Sequence, residues 1–181
     1  MPADAFLDDA LRQFRKSRAL AEAALAQVDE AQFFTALGPD ENSLALLVKH
    51  VAGNQASRWT DFLTTDGEKP GRRRDAEFER EPGDTRAALM ARWERGWGLL
   101  FAALLPLQEA DLARVVTIRG EPHTVLQAIT RQQNHYAWHA GQIVFLARHL
   151  RGARWTSLSI PRGESARFEV GKDGRPYATG G

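Results

Sequence analysis

Four segments of the chain repeat apolar residues at intervals of three and four, and almost nothing between them alternates as a half-buried strand does. From about Asp4 to Val28, the residues Phe6, Leu7, Leu11, Phe14, Leu20, Ala24 and Leu25 mark one face of a first helix. Asn42 and Ser43 are cap-type residues, and SLALLVKHVAGNQASRWTDFL then runs as a second helix with no breaker other than Gly53. Asp84 or Thr85 caps a third, TRAALMARWERGWGLLFAALL, which stops at Pro106. Thr124 with Gln127 makes a capping-box pattern ahead of the fourth, TVLQAITRQQNHYAWHAGQIVFLARHLRG, closed by Gly152. Val115 to Ile118 favours β structure, but it is too isolated for more than a small hairpin. The pattern predicts an all-α four-helix bundle with long connections and an irregular tail, frayed from about residue 170 to 181.

Composition narrows what such a bundle does. A length of 181 residues suits one domain spanning 1–181, and the hydrophobic and charged fractions of 43% and 26% are those of a soluble one. No stretch approaches 18 consecutive apolar residues, and MPADAFLDDALRQ has neither the basic nor the apolar region of a secretory signal, so a cytoplasmic protein without a membrane segment is expected. With no cysteine, there are no disulfides, no thiolate zinc ligands and no cysteine nucleophile. A net charge of +1 offers no general attraction to nucleic acid. GRRRD at 71–75, flanked by Glu77 and Glu79, reads as a solvated or salt-bridged part of a connection whose 19 residues are unusually many for a loop without a function. No nucleophile elbow, phosphate loop, dinucleotide fingerprint or internal repeat is present.

Attention therefore falls on histidine. In HYAWH, His135 and His139 are four apart and share a face of the fourth helix, about 40° from one another. Imidazoles on successive turns converge on one ion at about 2.0–2.1 Å, although such a pair also arises by chance and needs a third ligand. His50 is the candidate, on a flank of the second helix with Leu47, Asn54 and Asp61, beside an apolar centre at Leu44, Val48, Val51 and Phe62. That flank is either the lining of an interior pocket or a helix edge meeting water. Three neutral imidazoles leave a position open on the metal, as catalytic rather than structural sites do. Asn54, Asp61 and Gln142 are placed to orient the rings. His123 reads as a loop residue near the pocket, and His149, with Arg148 and Arg151, as a partner of the helix C-terminal dipole. The tryptophans at 59, 93, 97, 138 and 155 read as core and pocket wall.

His50, the H-x-x-x-H-x-G-Q-I helix, KHVAGNQASRWTDFL, GRRRDAEFE and the tail WTSLSIPRGES together resemble the DinB/YfiT-like superfamily over nearly the whole chain. The similarity is greatest to an uncharacterised subgroup. What the resemblance implies is a bundle holding a divalent metal, zinc or nickel, on one histidine of the second helix and two of the fourth, here His50, His135 and His139. It also implies transfer of a low-molecular-weight thiol, with metal-dependent hydrolysis by bound water and a noncatalytic stress-related module as alternatives, and a homodimer. A metal-bound thiolate needs no protein cysteine, because the sulfur arrives with the cosubstrate. The hydrolase needs a base, for which Asp61 is the one candidate. Arg162 in IPRGES and Arg72 in the GRRRD run are the candidates to hold a substrate anion if their loops fold over the metal mouth, and are otherwise surface salt bridges.

Overall fold

The computed structural model describes residues 4–165. It contains five α-helices, α1 (Asp4–Leu25), α2 (Glu30–Phe34), α3 (Leu44–Trp59), α4 (Arg86–Leu104) and α5 (Val125–Arg151), with one hairpin of β1 (Val115–Ile118) and β2 (Glu121–Thr124). The protein is mostly helical with one small two-stranded sheet, rather than wholly α. The expected fraying of residues 170–181 lies outside the described residues.

The capping chemistry decides where the helices begin. At α5 the Thr124 hydroxyl accepts the Gln127 N–H at 3.1 Å while the Gln127 side chain accepts the Thr124 N–H at 2.8 Å, so two otherwise orphaned donors are satisfied reciprocally. Thr85, not Asp84, caps α4 by accepting the Ala88 N–H. At its far end α5 closes on Gly152, whose φ of +57° suits glycine. The short helix α2 escapes a periodicity argument because five residues are too few to repeat, yet Asp29 and Gln32 form a capping box and it sets Phe33 in the core.

The second predicted helix stops four residues early. Beyond Trp59, Thr60 is extended and Asp61 takes a positive φ of 46°. The Asp61 carbonyl accepts the N–H groups of Thr64 and Thr65, each at 3.0 Å, and both threonine hydroxyls as well. Such local bonds compete with helix continuation. Phe62 still reaches the core against Trp59, so the apolar pattern continued where the helical backbone did not.

α3 packs against α4 and α5, and α1 against α5 and α4, closing a ring of four long helices round one apolar cluster. At its centre Phe14 meets Trp59, Trp97 and Tyr136 edge-on or tilted. Each such ring removes about 150–250 Å² from water. The polar ends are satisfied in sequence: the Trp59 indole donates to the Tyr136 hydroxyl at 3.0 Å, which donates to Asn54 at 2.9 Å. Trp59, Trp93 and Trp97 are core residues as expected, and Trp155 packs on the core half-buried. Trp138 is 70% exposed and stands in the wall of a cavity rather than in the core.

Two irregular parts complete the molecule around α3. In the hairpin, Val115 pairs with Thr124 and Ile118 with Glu121, and the turn residues Arg119 and Gly120 both have positive φ, as a tight two-residue connection requires. The connection from 66 to 84 is anchored at both ends. Asp66 accepts the N–H groups of Arg119 and Gly120 at the hairpin turn, and at the other end the buried Lys49 of α3 donates to the Glu79 carbonyl, to Glu81 and, at 2.6 Å, to Asp84. The middle of this connection therefore lies on α3, where a 3-10 turn, Asp75–Phe78, faces the helix. After α5, the tail returns along α1 through paired hydrogen bonds between Gln27 and Thr156. Among the described residues no helix is long and apolar enough to cross a membrane.

Candidate metal centre

His50, at mid-length of α3 and 4% exposed, meets His135 and His139 of α5. The Nε2 atoms of His50 and His135 are 3.3 Å apart, those of His139 and His135 are 3.0 Å apart, and one ligand atom from each ring lies within 4.8 Å of the others. An ion held tetrahedrally at about 2.05 Å from each nitrogen sets the nitrogens about 3.3 Å apart, close to the two Nε2 separations from His135, so the cluster could hold a metal ion. Among the described residues this is the one group of three or more histidine or acidic side chains close enough to hold a metal ion.

The outer nitrogens fix the tautomers. His50 Nδ1 lies 2.8 Å from Oε2 of Glu77, and His139 Nδ1 lies 2.8 Å from Oε1 of Gln142. Both acceptors are oxygens, so each Nδ1 donates and each Nε2 is left facing the common point. Burial above all, then the neighbouring His139, His50, Arg58 and Arg72, pushes His135 down to about 3. Burial and His50 also lower His139, against the Gln142 bond. The Nε2 lone pairs of His50 and His139 thus converge on Nε2 of His135, whose outer nitrogen has no partner to fix its tautomer.

Glu77 comes from the 66–84 connection and has two partners. Its carboxylate takes a two-pronged bond from Arg72, Nε to Oε1 and Nη2 to Oε2, both at 2.8 Å, in addition to the His50 N–H. Burial would raise its pKa; the His50 and Arg72 bonds outweigh burial and hold the carboxyl below its ordinary range. Phe78, the next residue, stacks on the His50 ring with centroids 4.6 Å apart, and Arg74 lies over the outer face of Phe78. The carboxylate reaches His50 only because position 53 is glycine: a Cβ there would stand 2.8 Å from Glu77 Cδ, closer than carbon atoms approach. Gly53 follows His50 by three residues and so shares its face of α3.

The sequence-predicted residues divide accordingly. His50, His135 and His139 come together and Gln142 bonds one of them. Asn54 is buried beside them but accepts from Tyr136 and bonds no imidazole. Asp61 does not reach the cluster, because α3 ends before it and its backbone turns away, exposed. Arg72 is drawn inward: its side chain is 5% exposed and its donors are spent on Glu77 and Glu68. Arg162 is exposed in the tail and does not line the cavity beside the triad. His123 sits in β2, donating to the Glu121 carbonyl and accepting from Arg131. His149 is exposed in the last turn of α5. Two residues went unforeseen. Glu77 lies in a segment with no periodicity, and its one signal was a glycine in mid-helix three residues after a histidine. Arg58, eight residues beyond His50 on the same flank, was passed over although it is 3% exposed and lines the cavity.

That cavity, about 410 Å³, opens beside His50 and His135. Trp138, Asn134, Gln132 and five arginines form its wall. A larger one of about 520 Å³ lies on the other side of the Arg72–Glu77 pair, between α3, α4 and the connection. It contains none of the three histidines, so the smaller cavity is the one that bears on their chemistry.

Residues 2–164 match a family described as "Protein of unknown function (DUF1572)". No curated protein and no solved structure matches the chain. Since the match takes in both ends of the four-helix ring and all three histidines, the chain belongs to the DUF1572 family.

Proposed function

We propose that this protein is a four-helix metalloprotein of the DinB/YfiT-like type that binds zinc or nickel on His50, His135 and His139 and transfers a low-molecular-weight thiol. One observation carries the metal: three Nε2 atoms 3.0–3.3 Å apart between neighbours, with two of the rings turned inward by acceptors on their outer nitrogens. The ring of long helices, with one ligand from α3 and two from α5, agrees with the type.

The bound ion would supply a Lewis-acidic position that lowers the pKa of a thiol presented to it. The protein's own residues bear on which reaction follows. Glu77 keeps His50 in the Nε2-ligating tautomer, and Gln142 does so for His139. Both oxygens of Glu77 are occupied by Arg72 and His50, and Asp61 lies elsewhere. Among the described residues no carboxylate beside the triad is left to take a proton from water, which supports thiol transfer over hydrolysis; a thiol loses its proton far more readily and needs no such base. The open cavity beside His50 and His135 supports a reactive role over a structural brace. A cytoplasmic homodimer belongs to the same reading; Phe145, 70% exposed on α5, supports the dimer.

The test is a panel of small thiols offered to zinc-loaded and nickel-loaded protein with an electrophilic acceptor, following thiol consumption. Consumption that depends on the metal and is lost in His135→Ala is expected. Ester or amide cleavage without thiol consumption would establish the hydrolase instead, and a bound metal with neither activity would establish the brace.

A further inference from the structure

The cavity beside the triad holds five guanidinium groups, those of Arg58, Arg72, Arg74, Arg119 and Arg131, and no acidic residue lines it. The carboxylates that pair with these arginines are three. Glu68 serves Arg72 at 3.1 Å, Arg119 at 3.3 Å and Arg58 only at 3.7 Å. Glu77 is taken by Arg72, and the outermost, Asp75, lies 3.6 Å from Arg74. Among the described residues, two of the five are the least compensated. Arg131 touches His123 alone, donating to its Nε2 at 3.2 Å. Arg58 is the more telling: it is 3% exposed, yet its Nε and Nη1 have no hydrogen-bond partner.

A guanidinium taken out of water with donors unpaired is costly to keep charged, and an oxoanion in the cavity that Arg58 lines would offset that charge. Arg58 has no room to turn toward others, since it is packed against Gly67, where even a Cβ would stand 2.7 Å from Nη1. Gln132 adds a second unpaired group on the same wall: it is 2% exposed and its Oε1 has no partner. Across the opening Trp138 offers an exposed apolar face. A buried fork of donors, an amide, a flat apolar wall and a neighbouring three-histidine cluster together describe a cavity for a small molecule charged at one end.

We infer that Arg58, assisted at the rim by Arg131, binds an oxoanion group, carboxylate or phosphate, of a small molecule whose other end reaches the three-histidine cluster. The identity of the cavity as the substrate's rests on the metal reading above; the anion site itself does not. Arg58 and Arg131 take the place that the sequence assigned to Arg72 and Arg162.

Calorimetric titration of the full-length chain tests this with two simple anions, inorganic phosphate and malonate, in protein stripped by chelator and in protein reloaded with zinc. One saturable site is expected in both forms, and the tighter of the two anions identifies the headgroup chemistry. Arg58→Gln is expected to weaken it by about tenfold or more, since the buried charge facing the anion is lost. Arg131→Gln, on an exposed side chain whose loss leaves the core intact, is expected to weaken it severalfold, and Arg12→Gln on the outer face of α1 to leave it unchanged. Should Arg58→Gln fail to fold, Arg58→Lys keeps the charge without the fork and is expected to bind weakly. Equal binding by the Arg58 and Arg131 variants and wild type, or no saturable binding of either anion, overturns the inference. A second comparison isolates the metal: 3-mercaptopropionate should bind zinc-loaded protein more tightly than 2-mercaptoethanol does. Anion binding without any zinc dependence of the thiol would leave the anion site standing and remove the metal reading.

Discussion

The two halves of the candidate metal centre are built on opposite principles. His135 and His139 stand one turn apart on α5, a 27-residue helix capped at both ends, so their relative position follows from helix geometry alone. His50 also stands on a helix, but its ring is set by an irregular connection: Glu77 fixes its tautomer, Arg72 fixes Glu77, Phe78 covers its face, and Lys49 anchors the strand of chain that carries them. One half is rigid by local structure and the other by tertiary contacts. Damage to the connection should therefore reach the metal through His50, while comparable damage on α5 should be borne locally.

The largest expected effect is on the anchor. Lys49 and Asp84 are nearly enclosed, with side chains 6% and 2% exposed, so Lys49→Met leaves Asp84 buried without its main partner. A loss of about 3 kcal/mol is expected in urea unfolding, with reduced zinc affinity because the connection loosens over His50. An unchanged midpoint would show that the connection does not depend on this pair.

Glu77→Gln comes next. It preserves shape while removing the charge that holds the Nδ1 proton of His50, and zinc affinity should fall about 10- to 100-fold in competition with a chromogenic chelator. Gly53→Ala should weaken zinc in the same direction, because the far end of Glu77 is tied to Arg72 and His50 and has to leave one of them to admit the methyl. Its helix propensity improves by about 0.5–1 kcal/mol, so stability and metal affinity should move apart. Gln142→Ala, the matching lesion on α5, removes a neutral and exposed partner and should cost only severalfold. Equal losses in Glu77→Gln and Gln142→Ala would erase the distinction between the halves.

The smallest effect is that of pH. Glu77 and Asp84 are held below their ordinary range in the fold: burial, the largest single cause, raises each, but the His50 and Arg72 bonds, and for Asp84 Lys49 with the Glu81 N–H, together outweigh it. A depressed carboxyl stabilises the fold fully above its unfolded pKa, about 4, and that contribution disappears as pH falls through the lower folded value. The part of the urea midpoint that these two carboxylates carry should hold between pH 7 and 5 and drop below pH 4, on top of an earlier decline that begins near pH 6.5, where the unfolded chain's histidines take up protons that the buried His135 and His139 do not. Asp84→Asn should flatten that drop.

What was legible in the sequence follows the same division. The long helices, their caps and the three histidines could be read because helical periodicity makes neighbours of residues three and four apart. The same rule failed at Asp61, where it was extended past Trp59 into a turn held by side chains that periodicity does not sense. It had nothing to say of Glu77, 27 residues from His50 and well beyond the end of α3, because that contact depends on how the connection folds back. Arg72 was visible as a charged loop residue, but whether it faced solvent, a substrate or Glu77 was a question of tertiary structure. The excess length of the connection and the glycine in mid-helix were the local traces of that packing.

The central claim is that the three imidazoles ligate one ion. Metal content after loading with zinc or nickel and desalting, read together with X-ray absorption at the metal edge, tests it most directly. One ion per chain with three imidazole nitrogens at about 2.0–2.1 Å, and no stoichiometric ion in His135→Ala, is the predicted result. Well under one equivalent in wild type, or equal loading of the variant, would contradict it.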